Sequence, residues 1–193
     1  EVLAPIAEYP EIQFSLKMRL GWENASECMV LVELLNTLRL SRIALHARTG
    51  KQQYKGHPDL EAFQGFYELC QHPLYYNGDI ESLSDIRQIL TRFPLLKGVF
   101  IGRGLLSSPL LAKEFKGNET FLPEQRMSIY FAFHEELFSA YSQVLQGETQ
   151  LLVKMKTLWE YFLPETDRKL LKRIKKSTRL QQYTESVKAI FTS

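Results

Sequence analysis

Apolar and polar residues alternate along Phe14-Ser15-Leu16-Lys17-Met18-Arg19, the period of a strand with one buried face. Gly21 closes that run, and Ser26 predicts the cap of a helix reaching about Leu40. The same order then recurs. Ile43-Ala44-Leu45-His46 predicts a second strand, and Pro58 and Asp59 open a helix to about Cys70. Leu74-Tyr75-Tyr76-Asn77 predicts a third strand, followed by a helix that Ser82 or Ser84 caps and that runs to about Arg92. Gly98 to Gly102 predicts a fourth, and Ser107-Ser108-Pro109 opens another helix. The strand starts lie 29, 31 and 24 residues apart, the length of a β–α unit. Such alternation predicts a parallel sheet sheltered by helices.

After about Gly117 the strand pattern stops. Pro123 predicts a long helix to Gln146, with Gly147 as its stop. Its apolar face is predicted from Ile129, Phe133, Leu137, Tyr141 and Leu145 at four-residue steps. Further helices are expected near 149–163, 165–176 and 179–191. The expected organisation is an α/β part over residues 1–117 and a separate all-helical domain over 118–193.

Composition narrows the class. The 193 residues, 45% hydrophobic and 24% charged, can bury a core without staples. Two cysteines exclude a disulfide framework and suit a reducing, cytoplasmic setting. No apolar run approaches a membrane span, and Glu1 to Glu11, with three acids and two prolines, does not read as a signal peptide. The net charge of +2 conceals a division: residues 151–193 carry +6 and residues 1–150 carry −4. A basic tail on an acidic body suggests a polyanion partner, against the plainer reading of a solvated helix face.

Polar residues gather where the predicted strands end: Lys17 and Arg19, His46 and Arg48, Asn77 and Asp79, then Arg103. In parallel α/β folds ligands sit at the carboxyl ends of strands. Glycines in Asn77-Gly78-Asp79 and Gly102-Arg103-Gly104 allow close backbone approach, a helix start follows each turn, and Arg103 offers a fork suited to phosphate. The competing reading is two plain tight turns. Lys17 suits the electron-rich part of a cofactor and His46 suits a hydrogen bond to it; a surface lysine and a core histidine compete with these roles. The loop from Arg48 to Gly56 is basic, with Tyr54 and no acid, which suits phosphate contacts and base stacking. A flexible loop is the alternative. In the tail, Leu170, Leu171 and Ile174 form an apolar stripe, and Arg168, Lys172, Arg173, Lys175 and Lys176, with Arg179 beyond, form a basic surface fit for a phosphate backbone. No metal site is expected: His134-Glu135-Glu136 lacks a second histidine four residues on, and neither cysteine pairs with a histidine at ligand spacing. Cys28 and Cys70 read as small core residues.

These residues carry a resemblance. Leu16-Lys17-Met18-Arg19-Leu20-Gly21-Trp22 resembles the Lys-Met-Arg strand of the tRNA-dihydrouridine synthases. His46-Ala47-Arg48-Thr49 with Tyr54-Lys55-Gly56 is similar to their next motif. Asn77-Gly78-Asp79-Ile80 and Ile101-Gly102-Arg103-Gly104 follow in order, and Met155-Lys156, Trp159-Glu160-Tyr161-Phe162 and the basic helix resemble the family's helical domain. The resemblance implies the second half of an FMN-binding TIM (β/α)8 barrel followed by an all-helical tRNA-binding domain. It implies that NADPH reduces the flavin, that hydride passes to uracil C6 and that an acid protonates C5, with the uridine drawn out of its stack. Lys17 and His46 would hold the flavin; Asn77, Gly78, Asp79, Gly102 and Arg103 would line its phosphate site. Arg48 and Tyr54 would lie near the tRNA entrance.

The chain departs from the family in one respect. The family's proton-donor cysteine belongs to an Asn-x-Gly-Cys-Pro type motif, and no such motif occurs here. A barrel of this type takes about 250 residues, and four strands cannot close one. The expectation is a fragment whose catalytic cysteine lies upstream of Glu1, and a monomer when complete. Two rivals stand: another FMN-dependent TIM-barrel oxidoreductase acting on a small molecule, and a non-catalytic RNA-binding relic.

Overall fold

The computed structural model describes residues 3–192. They form two compact units, one ending at Gly102 and one beginning at Arg103.

The first unit holds α1 (Ala4–Glu8), β1 (Phe14–Gly21), α2 (Glu27–Asn36), β2 (Leu40–Thr49), α3 (Leu60–Leu69), β3 (Leu74–Asn77), α4 (Leu83–Arg92) and β4 (Gly98–Phe100). The strands form one parallel sheet in the order β1-β2-β3-β4. Strands that neighbour in sequence also neighbour in space, each joined by a helix. The parallel sheet with its helices is what the pattern predicts, and the strand order is that of half a (β/α)8 barrel, as the resemblance implies.

Period-two alternation gives the sheet two unlike faces. Leu16, Met18 and Leu20 share a face with Ile43, Leu45 and Ala47 and with Leu74 and Tyr76. The apolar core on this side also takes Cys28, Val32 and Leu35 of α2, Phe63 and Phe66 of α3, and Ile86 and Ile89 of α4. Phe63 meets Tyr76 and Phe93 edge to face, each at 5.0 Å. The other face carries Lys17, Arg19, Ala44, His46 and Arg48 on β1 and β2, where it is polar, and Tyr75, Asn77 and Phe100 on β3 and β4.

Local chemistry sets the helix starts. Asp59 accepts the Ala62 N–H at 2.9 Å at the head of α3. Ser82 and Asp85 cap α4 reciprocally, with Asp85 N–H to Ser82 Oγ at 3.2 Å and Ser82 N–H to Asp85 Oδ2 at 2.8 Å. At α2 the Ser26 side chain makes no capping bond. The Glu27 carboxylate instead accepts the N–H groups of Asn24, Trp22 and Glu23 at 2.7, 2.8 and 2.9 Å, which holds its pKa below the usual range.

The second unit is helical: α5 (Arg103–Ser107), α6 (Leu111–Gly117), α7 (Pro123–Val144), α8 (Glu148–Leu158), α9 (Arg168–Lys176) and α10 (Leu180–Phe191). Its core gathers Tyr130, Leu151, Leu152, Met155, Trp159, Phe162, Ile174, Tyr183, Val187 and Ile190. The α7 apolar face is wider than predicted: Ile129, Leu137, Tyr141 and Leu145 pack against the core half-buried, as expected, while Tyr130 and His134 are its fully buried positions and Phe133 is more than a third exposed. Gly147, expected to stop α7, instead precedes α8 in a left-handed conformation with φ 88°. A Glu114–Arg126 ion pair fastens α6 to α7, and Tyr130 Oη lies 2.7 Å from Ser108 Oγ. Among the described residues, no helix is long and apolar enough to cross a membrane, and no cluster of His, Cys, Asp or Glu could hold a metal ion.

Candidate functional site

Sheet register builds the site. Arg19 pairs with His46, His46 with Asn77 and Asn77 with Phe100, so Arg19, His46 and Asn77 form one row on the polar face. Lys17 sits one row below, paired with Ala44. The strands β1 and β2 run on to Gly21 and Thr49, so Lys17 and His46 lie within strands rather than at their ends. Polar side chains that read as strand ends are accommodated because the pairing continues past them.

His46 is 6% exposed, and its ring nitrogens make no hydrogen bond among the described residues. Burial, followed by the positive charges of Arg19, Lys17 and Arg48, pushes its pKa down to about 4 against a smaller opposing pull from Asp79. It is a neutral imidazole in a positive field at pH 7. Such an imidazole can donate or accept at an electron-rich ligand without adding charge.

Two arginines fasten the loop after β2. Arg19 Nη1 donates to the carbonyls of Thr49 and Gln53 at 2.8 and 3.1 Å, and its guanidinium lies 5.8 Å from the Tyr54 ring centre. Arg48 is 1% exposed. Its Nη1 and Nη2 donate to Asp79 Oδ1 and Oδ2 at 2.7 and 2.5 Å, and Nη2 also donates to the Gly56 carbonyl at 2.7 Å. The paired carboxylate raises the Arg48 pKa. Arg48 is therefore an internal tie of the loop rather than an exposed group, while Tyr54, 62% exposed, remains on the surface. Backbone bonds from Gly50 N–H to Gly21 O and from Lys51 N–H to Trp22 O hold the loop base to the end of β1.

The Asn77–Asp79 turn is tightly built. Asn77 Nδ2 donates to the Phe100 carbonyl at 2.9 Å, joining β3 to β4. A Cβ at Gly78 would lie 2.7 Å from Tyr76 Oη and 3.2 Å from Pro58 Cγ, so no side chain fits. Asp79 follows at φ 29°, a left-handed conformation that aspartate tolerates. On the helix side, a cavity of about 420 Å³ is lined by His57, Tyr76, Gly78, Asp79, Gln88 and Arg92. At Gly102 an added Cβ would meet nothing within 4 Å, so the backbone there is open to close approach. Arg103 is the first residue of α5, in the second unit.

In the second unit, α9 presents Arg168, Lys169, Lys172, Arg173, Lys175 and Lys176 to solvent and buries Ile174 beneath half-buried Leu170 and Leu171. Lys169, Lys172, Arg173 and Lys176, with Ser177 and Gln182, line a groove of about 520 Å³ beside α10. Arg179, also exposed, precedes α10.

An anionic, ring-bearing cofactor such as FMN fits this donor set. The polar face offers cations and a neutral imidazole, a tight turn and an open glycine follow the strands, and the buried Arg48 Nε has no partner among the described residues. Neither thiol belongs to this face. Cys28 is buried in α2, Cys70 caps α3, and burial raises the pKa of both. The Arg48–Asp79 pair was not evident from the sequence, where the two residues belong to separate motifs. The signal was present: each lies two residues beyond the end of a predicted strand, and β2 and β3 are neighbours.

Comparison with known proteins adds a second line of observation. The profile of the family described as Dihydrouridine synthase (Dus) matches residues 3–192. A probable tRNA-dihydrouridine synthase of Aquifex aeolicus is 36% identical over 105 residues, 54% of this chain and 33% of that protein. One of Rhizobium leguminosarum bv. phaseoli is 35% identical over 100 residues, 51% of this chain and 31% of that protein. A tRNA-dihydrouridine(16) synthase of Haemophilus ducreyi is 30% identical over 105 residues, 54% and 32% of the two chains. The matched stretch spans about a third of the length of each of these relatives.

Proposed function

Because the chain belongs to the dihydrouridine synthase family, we propose that it supplies the flavin-holding half barrel and the helical tRNA grip of an enzyme that reduces uridines in tRNA to dihydrouridine. The observation that carries this reading is the row Arg19–His46–Asn77, a neutral imidazole held among cations on the sheet's polar face. FMN, reduced by NADPH, would supply the hydride chemistry.

The chain's own residues would bind and orient. Lys17 and His46 would hold the electron-rich ring and ribityl chain, His46 through a hydrogen bond that leaves the local charge unchanged. Asn77, Gly78, Asp79 and Gly102 would take the phosphate, and by the family resemblance so would Arg103. Tyr54 stands at the rim of the polar face and suits an extruded base. The helical portion, expected over 118–193 from the sequence pattern, would hold the tRNA backbone through Arg168, Lys172, Arg173, Lys175, Lys176 and Arg179. The proton donor lies outside this chain. We place the protein in the cytoplasm and read the complete enzyme as a monomer.

Flavin absorption and tRNA binding test this together. The protein with added FMN should be yellow, and its tRNA affinity should fall steeply with salt. A colourless protein that still binds tRNA would favour the relic. A yellow protein indifferent to tRNA would favour the small-molecule oxidoreductase. The 193-residue chain alone should not turn over tRNA with NADPH.

A further inference from the structure

We propose that Arg48 is a positioning residue that links the Asn77–Asp79 turn to the loop 49–57, so that anion binding at the turn and order in the loop are coupled. The proposal rests on reading the turn as the cofactor's phosphate seat.

Arg48 cannot touch a polyanion while it keeps its present bonds, because only 1% of it is exposed. Its fork is directed inward. Two nitrogens grip the Asp79 carboxylate, and one of them also holds the Gly56 carbonyl. One planar cation thus fixes two segments 23 residues apart, counted from Gly56 to Asp79. Its Nε remains buried without a partner among the described residues, so the arrangement persists despite an unsatisfied donor. A lysine could not reproduce it, having a point charge in place of a fork.

The same pair makes the turn compatible with an anion. Asp79 places a carboxylate beside the turn's backbone, where it would repel a phosphate. Arg48, charged at all working pH values, sits 2.7 and 2.5 Å from its two oxygens and offsets that charge. A phosphate at the turn favours the bonded Arg48–Asp79 state, and the bonded state holds Gly56. By linkage, whatever orders the loop also strengthens anion binding.

Two measurements on the same protein test this: amide hydrogen exchange of residues 49–57, and the affinity ratio of FMN to riboflavin, which lacks the phosphate. Asp79→Asn should accelerate exchange at residues 50–56 several-fold with no ligand present. FMN should slow exchange there in the unsubstituted protein but not in Arg48→Met, whose preference for FMN over riboflavin should fall about tenfold. Adding Asp79→Asn to Arg48→Met should recover part of that preference, because the repelling carboxylate is gone, without recovering loop protection. Loop exchange unmoved by Asp79→Asn, or an intact FMN preference in Arg48→Met, overturns the proposal. If Arg48→Met does not fold, the Asp79→Asn exchange result decides alone. An unsubstituted protein that takes FMN and riboflavin equally overturns the phosphate reading of the turn, and the exchange result still decides whether Arg48 links turn and loop.

Discussion

The Tyr183 hydroxyl donates to His134 Nε2 across 2.7 Å, and the direction of that bond is fixed by a third group. Glu135 Oε1, which only accepts, lies 3.1 Å from His134 Nδ1 and keeps the ring proton there, which leaves Nε2 to accept; Trp159 Nε1–H donates to the same hydroxyl oxygen at 3.0 Å. Burial lowers the His134 pKa against the pull of Glu135 and favours this neutral form. The unfolded chain takes up this proton near pH 6.5 while the folded chain refuses it, so stability falls as pH drops below about 6.5 and is level above. Thermal unfolding of the helical unit should show this slope, and His134→Gln should reduce it. Tyr183→Phe should cost about 1–3 kcal/mol at neutral pH, since it strands two buried polar groups.

In the sheet unit, His46 obeys the same sign from a different cause. Its pKa of about 4 reflects burial first and then three cations. Its contribution to stability is whole above pH 6.5 and declines as pH falls toward 4. Proton NMR should find the His46 ring untitrated between pH 5 and 8. Replacing Arg19 by Met should move the titration upward, toward the ordinary value.

Gly78 admits no side chain without moving Tyr76 or Pro58. Gly78→Ala should lower stability by about 1–3 kcal/mol in denaturant unfolding. Tyr76→Phe in the same chain should return part of that loss, because it removes the atom 2.7 Å from the new methyl. The remaining contacts at 3.1 and 3.2 Å keep the recovery incomplete.

Six of the nine residues of α9 are basic and exposed, and its apolar side is anchored through Ile174. Replacing Lys172, Arg173 and Lys176 together by Ala should weaken tRNA binding about equally across sequences. The slope of log affinity against log salt should become shallower by about one unit for each phosphate that is no longer neutralised. Circular dichroism should be unchanged, since none of the three is buried.

Much of the fold was legible because local signals and tertiary packing agreed. The strand Leu74–Asn77 lies where the sequence places it, and of the two candidate caps, Ser82 and Ser84, the helix uses Ser82. Boundaries moved where charge interrupts an apolar run: Arg42 and Arg48 obscured the length of β2, which its pairing with β1 extends. The short helix Arg103–Ser107 has too few residues for a period to register. The place of His134 at the centre of the helical core depends on Tyr183, 49 residues on. The Arg48–Asp79 tie was hidden for the same reason, since a side chain's burial is decided by partners distant in sequence. The basic face of α9 was plain, because exposure and helical period are local.

The carbonyls of Thr49, Gln53 and Gly56 already have guanidinium partners in the folded chain. Most of the loop's conformational freedom is therefore surrendered during folding, and an anion at the turn suppresses only the local opening that remains. Binding at this rim begins from a largely ordered surface, so its affinity is little reduced by the entropy of ordering a segment of this length.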